Sequence, residues 1–467
     1  MWFVFVICIL FCERVHGGDY IAPKNKETWS YVEVRPGAHM FWWLYYTNAN
    51  ASYTQRPLII WLQGGPGASS TGYGNFMEIG PIDVGSNPRK VNWVNEANVL
   101  FVDNPVGTGF SYVQNKSLYA RNNSMIADDL VTLFSSFLKK VPEFQKVSTY
   151  IFGESYGGKM AVGFAKALNK AAVAGKVKCN LQGVALGDSW ISPVESMLSW
   201  PPFLYATSFL DEEGYQKVQK LADATADEVK KGNGKAATEL WMKTESLVEN
   251  LTHGVDWYNI LHLDADVQSL NAVTVEKKPR RGILSYDRHV GLLQGGNLKD
   301  LMNGVIRRKL RIIPENVTWG GQSDEVFAAL EADFMEPVTD DGKESFSMSF
   351  LPSGFSWFSR QCFLAFSVEF LLNRTNLSVI VYNGQLDLIV ATQGTENWVM
   401  KLLWPGVKGW RSTERVAIPL PHIKTAAFYK QYKNLCFYWI LQAGHMVPAD
   451  APEAMLEAMK HATNIHG

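Results

Sequence analysis

The stretch Ile151-Phe152-Gly153-Glu154-Ser155-Tyr156-Gly157-Gly158-Lys159-Met160, IFGESYGGKM, fits two patterns with different chemistry. Gly153 to Gly157 spells G-x-S-x-G, the sharp strand-to-helix turn that presents a nucleophilic serine. Gly153 to Lys159 spells G-x-x-x-x-G-K, most of a phosphate-binding loop. Both patterns need a strand before and a helix after, and residues 149–152 and 159 onward read that way. The side chains decide between them. Met160 stands where a Ser or Thr hydroxyl would hold magnesium, and Glu154 would set a negative charge among phosphate oxygens, so the nucleotide reading fails.

A serine is a weak nucleophile until a base takes its proton and a carboxylate orients that base. Asp387 follows an apolar run in Asn383-Gly384-Gln385-Leu386-Asp387, and His445 follows another in Gln442-Ala443-Gly444-His445. Alone, the first reads as a turn former and the second as a structural histidine. With Ser155 they stand in the chain order Ser, Asp, His of the α/β-hydrolase arrangement.

Apolar runs at 58–62, 99–102, 149–152, 183–186, 377–382 and 437–441 each stop abruptly at Gly, Asn, Gln or Asp turn sequences, as buried strands of a parallel sheet do. Helical patterns at 126–140 and 159–174 lie between some of them. This predicts an α/β-hydrolase fold with a central, mostly parallel sheet whose site forms beyond the carboxyl ends of the strands. Residues 195–312 are polar-patterned and helix-favouring, with a Gly-Asn-Gly break at 232–234, and read as a helical cap inserted into the core. The core is then split into a first part, 18–194, and a second part, 313–467. Within the second part, 339–366 is a Ser/Phe-rich run that breaks the rhythm, either a surface loop or a translated intron.

The chain has 467 residues, 47% of them hydrophobic and 19% charged, with a formal net charge of −1, which suits a large buried core. A near-neutral balance gives no electrostatic reason to expect nucleic acid or an anionic membrane as a partner. The basic knot Lys277, Lys278, Arg280 and Arg281 reads as a solvated loop, with proteolytic processing there as the alternative. The apolar start is too short to cross a bilayer, and Val15-His16-Gly17 suits signal peptidase, so 1–17 is expected to be a signal peptide, with no membrane span after its removal. Sequons beginning at Asn50, Asn115, Asn122, Asn250, Asn316, Asn373 and Asn376 are glycosylation candidates that agree with export. Beyond the signal segment only Cys179, Cys362 and Cys436 remain, enough for one disulfide and a free thiol. No H-E-x-x-H pair occurs, and neither metal nor cofactor is expected.

Met40-FWWLYY, Leu62-QGGPGASSTGYGNFMEIGP, Phe101-VDNPVGTGFSY, Phe152-GESYGGKMA, Ala185-LGDSWISP, Tyr382-NGQLDLI and Gly444-HMVPADAP together resemble the serine carboxypeptidases, nearest their retinoid-inducible group. The resemblance runs from about residue 27 almost to the C-terminus. It implies a secreted or lysosomal enzyme that removes C-terminal residues from peptides through an acyl-enzyme. Ser155 would attack, His445 would move the proton and Asp387 would hold the imidazole. The backbone N–H groups of Gly65 and Tyr156 would form the oxyanion hole. Gln63, Glu78, Glu154 and the backbone of Gly64 would grip the substrate's terminal carboxylate. Two acids can do so when protonated, which predicts activity favoured at acidic pH.

Many members carry Asn and Cys where this chain has Gln63 and Ala68. The longer amide still donates, and Ala68 removes a disulfide option. Two other functions fit the same scaffold: acyl transfer to a nucleophile other than water, and a non-catalytic role stabilising partner proteins. Expected partners are peptide and protein C-termini, with a homodimer left open.

Overall fold

The structure is a computed structural model that describes residues 26–262, 296–338 and 368–465. The expected signal peptide, the basic knot, Cys362 and the 339–366 run lie outside the described residues.

Eleven strands form one sheet. In chain order they are β1 (Glu27–Arg35), β2 (Ala38–Tyr45), β3 (Leu58–Leu62), β4 (Asn98–Val102), β5 (Tyr112–Val113) and β6 (Ser148–Glu154). There follow β7 (Asn180–Gly187), β8 (Ser378–Gly384), β9 (Val416–Leu420), β10 (Ile423–Tyr432) and β11 (Leu435–Ile440). Their spatial order is β1-β2-β4-β3-β6-β7-β8-β11-β10-β9, with β5 paired to β2. The neighbours from β4 to β11 pair in parallel, and both flanks are antiparallel. Each of the apolar runs picked out above falls on one of the parallel strands.

Strand period explains why those runs are apolar throughout. In β3 the side chains of Leu58, Ile60 and Leu62 enter the core on one face, and Ile59 and Trp61 enter the core on the other. Trp61 meets Trp93 edge-on at 5.5 Å, and Trp93 meets Phe152 at 5.1 Å. On the opposite face Trp42 meets Phe137 at 5.1 Å. Such rings dominate core energetics, each buried pair adding about 0.5–1.5 kcal/mol beyond its area.

Helix α1 (Asn123–Lys140) is capped by Asn122, whose side chain accepts from Met125 N–H, and it packs against α2 (Tyr156–Val173). Between β7 and β8 come α3 (Pro193–Ala206), α4 (Glu212–Lys230) and α5 (Gly234–Thr252). The Gly-Asn-Gly break separates α4 from α5, and Gly232 takes φ 76°, a left-handed conformation that favours glycine. Residues 296–310 add three further short helical pieces, and 193–262 with 296–310 contain no strand among the described residues. Cys179 and Cys436 are both free thiols.

Because β6, β7, β8 and β11 are parallel neighbours, their carboxyl ends lie along one edge of the sheet. Ser155, Asp188, Asp387 and His445 follow those four strands in turn.

Candidate active site

Ser155 joins β6 to α2 with φ 58° and ψ −127°, a conformation that is strained for a residue with a side chain. The turn is held from both sides. Ser155 N–H donates to Gly187 O at 3.0 Å, and its carbonyl accepts from Trp190 N–H at 2.9 Å. A Cβ on Gly157 would lie 2.2 Å from Leu62 O, and one on Gly64 would lie 2.5 Å from Ser155 Cβ. Glycine at these positions therefore lets the loop after β3 press against the nucleophile turn. Gly65 follows Gly64 in that loop with φ 108°, and Tyr156 begins α2 directly after Ser155.

The lysine of the rejected phosphate pattern does other work. Lys159 is fully buried and donates to the carbonyl oxygens of Asp333 at 2.8 Å and Phe334 at 3.0 Å. Burial lowers its pKa to about 8. Tyr156 donates to Asp333 Oδ2 at 2.9 Å, so the start of α2 is anchored to the helix Asp324–Phe334.

His445 Nδ1 lies 2.8 Å from Asp387 Oδ2, with side-chain exposures of 3% and 0%. A carboxylate only accepts, so Nδ1 carries the proton and Nε2 is the basic nitrogen. Asp387 Oδ1 accepts from Val390 N–H at 3.1 Å. A segment that sequence reasoning passed over holds both loops. His445 N–H donates to Tyr258 O at 2.6 Å, Ile260 N–H donates to Leu386 O at 3.1 Å, and the Tyr258 ring lies 4.9 Å from the imidazole. Asp450 Oδ2 accepts from Gly444 N–H at 2.7 Å and from Asn259 Nδ2 at 2.9 Å.

Gln63, Glu78 and Glu154 are also brought together, at 5%, 3% and 1% exposure. Trp61 Nε1 donates to Gln63 Oε1 at 2.8 Å, which turns the amide nitrogen toward the acids. Gln63 Nε2 donates to Glu78 Oε1 at 3.0 Å and Glu154 Oε1 at 2.5 Å. Among the described residues the remaining oxygen of each acid has no hydrogen-bond partner. Both carboxyls are pushed up, Glu78 by burial and Glu154, further, by burial and then by the Glu78 charge. Burial and mutual repulsion therefore favour a proton held by the pair. Glu78 sits on a π-type helix, Ser70–Ile79, which the sequence did not reveal.

Two more buried acids complete the setting. Asp103 accepts from Ser69 Oγ at 2.7 Å, Thr71 Oγ1 at 2.8 Å and Phe110 N–H at 2.9 Å, tying the loop after β4 to the one after β3. Asp188 is 0% exposed beside Asp387, with φ 41°. Its position at the end of a strand-like run is the same signal that singled out Asp387 and His445. The sequon asparagines Asn50, Asn115, Asn122, Asn250, Asn316, Asn373 and Asn376 are all exposed.

The serine carboxypeptidase family model matches residues 19–351 and 363–464, breaking inside the Ser/Phe-rich run. The retinoid-inducible serine carboxypeptidase of Mus musculus is 46% identical over 466 residues, covering 99% of this chain and 97% of that one. Serine carboxypeptidase-like 51 of Arabidopsis thaliana is 40% identical, covering 95% of this chain and 93% of that one. Among solved structures, Kex1(delta)p, a prohormone-processing carboxypeptidase from Saccharomyces cerevisiae, has a TM-score of 0.72 at 20% identity and covers 94% of this chain and 91% of its own, a likeness of fold. From the extent of these matches, the chain belongs to the serine carboxypeptidase family.

Proposed function

We propose that this serine carboxypeptidase removes single residues from peptide C-termini through an acyl-enzyme formed on Ser155. His445 Nε2 takes the hydroxyl proton as Ser155 Oγ attacks the last peptide carbonyl, and Asp387 holds the imidazole and stabilises its charged form. The developing oxyanion receives the N–H groups of Gly65 and Tyr156. His445 then gives its proton to the departing amino group, and water attacks the acyl-enzyme by the same route in reverse.

The observation that carries the exopeptidase reading is the buried Gln63, Glu78 and Glu154 cluster, whose Glu154 adjoins Ser155 in the chain. A neutral Glu154 donates to a carboxylate where an ionised one would repel it. Because both carboxyls are raised, peptide turnover is present while they keep their shared proton and is lost as pH rises through the raised values.

Exposed sequons support passage through the secretory pathway, to a lysosomal or extracellular destination. Among the described residues no helix is long and apolar enough to cross a membrane. We read residues 195–312 as a cap over the hydrolase core, with Tyr258 reaching from it to His445. The test is release of C-terminal amino acids from a peptide library by wild type and Ser155→Ala across pH. Acid-favoured release by wild type alone supports the reading; release by Ser155→Ala at the wild-type rate overturns it.

A further inference from the structure

The catalytic aspartate has a second carboxyl beside it. Ligand-type atoms of Asp188, Asp387 and His445 lie within 4.8 Å of one another, and both aspartates are 0% exposed. Asp188 Oδ1 accepts from Gly384 N–H at 2.7 Å, while its buried Oδ2 has no hydrogen-bond partner among the described residues if both acids are ionised. Asp387 already spends Oδ1 on Val390 N–H and Oδ2 on His445. Two buried carboxylates facing one imidazole repel each other, and a proton between them removes the repulsion and satisfies the orphaned oxygen.

We propose that Asp188 is a positioning residue of the triad: its carboxyl keeps a proton and donates it to Asp387, fixing the carboxylate that receives His445 Nδ1–H. This rests on the triad reading above. Asp188 is the partner that holds the proton because Asp387 is the one bonded to the histidine. Burial, and then the Asp387 charge, hold the Asp188 carboxyl well above the usual range. The groups facing Asp188 are Asp387, Asp450, Glu154 and the Tyr382 hydroxyl, with His445 beyond Asp387. Apart from the histidine, these groups are acids, save the Tyr382 hydroxyl, which makes no hydrogen bond to Asp188 among the described residues. An ionised Asp188 would also be a rival acceptor for Nδ1–H, and the imidazole would lose its single orientation. The left-handed backbone of Asp188 suits Asp, Asn or Gly, so the position can be varied without adding strain.

The experiment compares Asp188→Asn and Asp188→Gly with Asp387→Asn. Asparagine keeps a donor toward Asp387 and an acceptor for Gly384 N–H; glycine removes both. The readouts are kcat and KM on a peptide, and the pH profile of inactivation by a fluorophosphonate, which needs no terminal carboxylate. We expect Asp188→Asn to retain most of kcat, and Asp188→Gly to lose about 100-fold in kcat with little change in KM. Inactivation should slow in parallel. Loss by Asp188→Asn as deep as by Asp188→Gly would show that an ionised carboxylate is needed and overturn the proposal, as would full activity in both. The asparagine variant alone decides the first point if the glycine variant does not fold. Slow inactivation of Asp387→Asn beside an unaffected Asp188→Gly would sink the proposal and leave the triad standing. An unaffected Asp387→Asn would remove the triad reading itself.

Discussion

Two pairs of buried acids lie on the same edge of the sheet and are built alike, yet they face different third groups. Glu78 and Glu154 meet the amide of Gln63, which never titrates, while Asp188 and Asp387 meet the imidazole of His445. In each pair burial and like charge raise at least one carboxyl. On the proposed reading, the amide leaves its pair to hydrogen-bond a substrate carboxylate through the remaining oxygens of Glu78 and Glu154. On the same reading, the imidazole turns its pair into a support for proton transfer. The chemistry of a buried acid pair is thus set by what completes it.

The largest expected effect separates the two pairs. Ser155→Ala or His445→Ala should lower kcat for C-terminal release by about a millionfold while leaving the affinity for a free-carboxylate product nearly intact, as read by isothermal titration. If product affinity collapsed with kcat, the two pairs would not be separable devices. Next, Glu154→Ala removes a charge-assisted hydrogen bond of about 1.5–3 kcal/mol, and kcat/KM on free-acid peptides should fall about 10- to 100-fold. Amidated peptides should be much less affected. Equal losses on both would place Glu154 in the chemistry and not in carboxylate recognition.

The parts of this arrangement differed in how far they could be read from sequence. The central strands were legible because burial on both faces makes them continuously apolar, as in Leu58–Leu62. Edge strand β9 was not, since its residues are largely exposed and carry no such run. Ser155, Asp387 and His445 stood out because each follows a strand in an order with chemical meaning. Asp188 follows a strand too, but its role depends on a partner about two hundred positions away in the chain, a contact that only the parallel pairing of β7 with β8 creates. Glu78 came from resemblance alone, because a π-type helix has no recognisable period at that length. Tyr258 was missed for a similar reason: its hold on His445 runs through a backbone carbonyl that no side-chain pattern records.

Smaller effects sharpen the picture of the amide. Gln63→Asn shortens the side chain, so the bond from Trp61 and the reach to both acids cannot be kept together. Kinetics on free-acid peptides should show a loss of about 1 kcal/mol, roughly fivefold in kcat/KM. An unchanged value would mean the extra methylene in this chain is incidental. Stability should follow the same acids. Glu78, Glu154 and Asp188 have raised values in the folded chain, so their contribution is fully present below the ordinary carboxyl range and is lost as pH rises through the raised values. Thermal melts should therefore show a Tm that declines from acidic toward neutral pH, with a shallower decline in Glu154→Gln. A Tm that climbs over that interval would contradict the protonated pairs.

The most direct test is the pH dependence of kcat/KM for one peptide and its C-terminal amide, in wild type and Glu154→Gln. The account predicts that wild type loses free-acid activity toward neutral pH well before it loses amide activity, and that Glu154→Gln, neutral at every pH, brings the two profiles together. Superimposable wild-type profiles for the acid and the amide would contradict it.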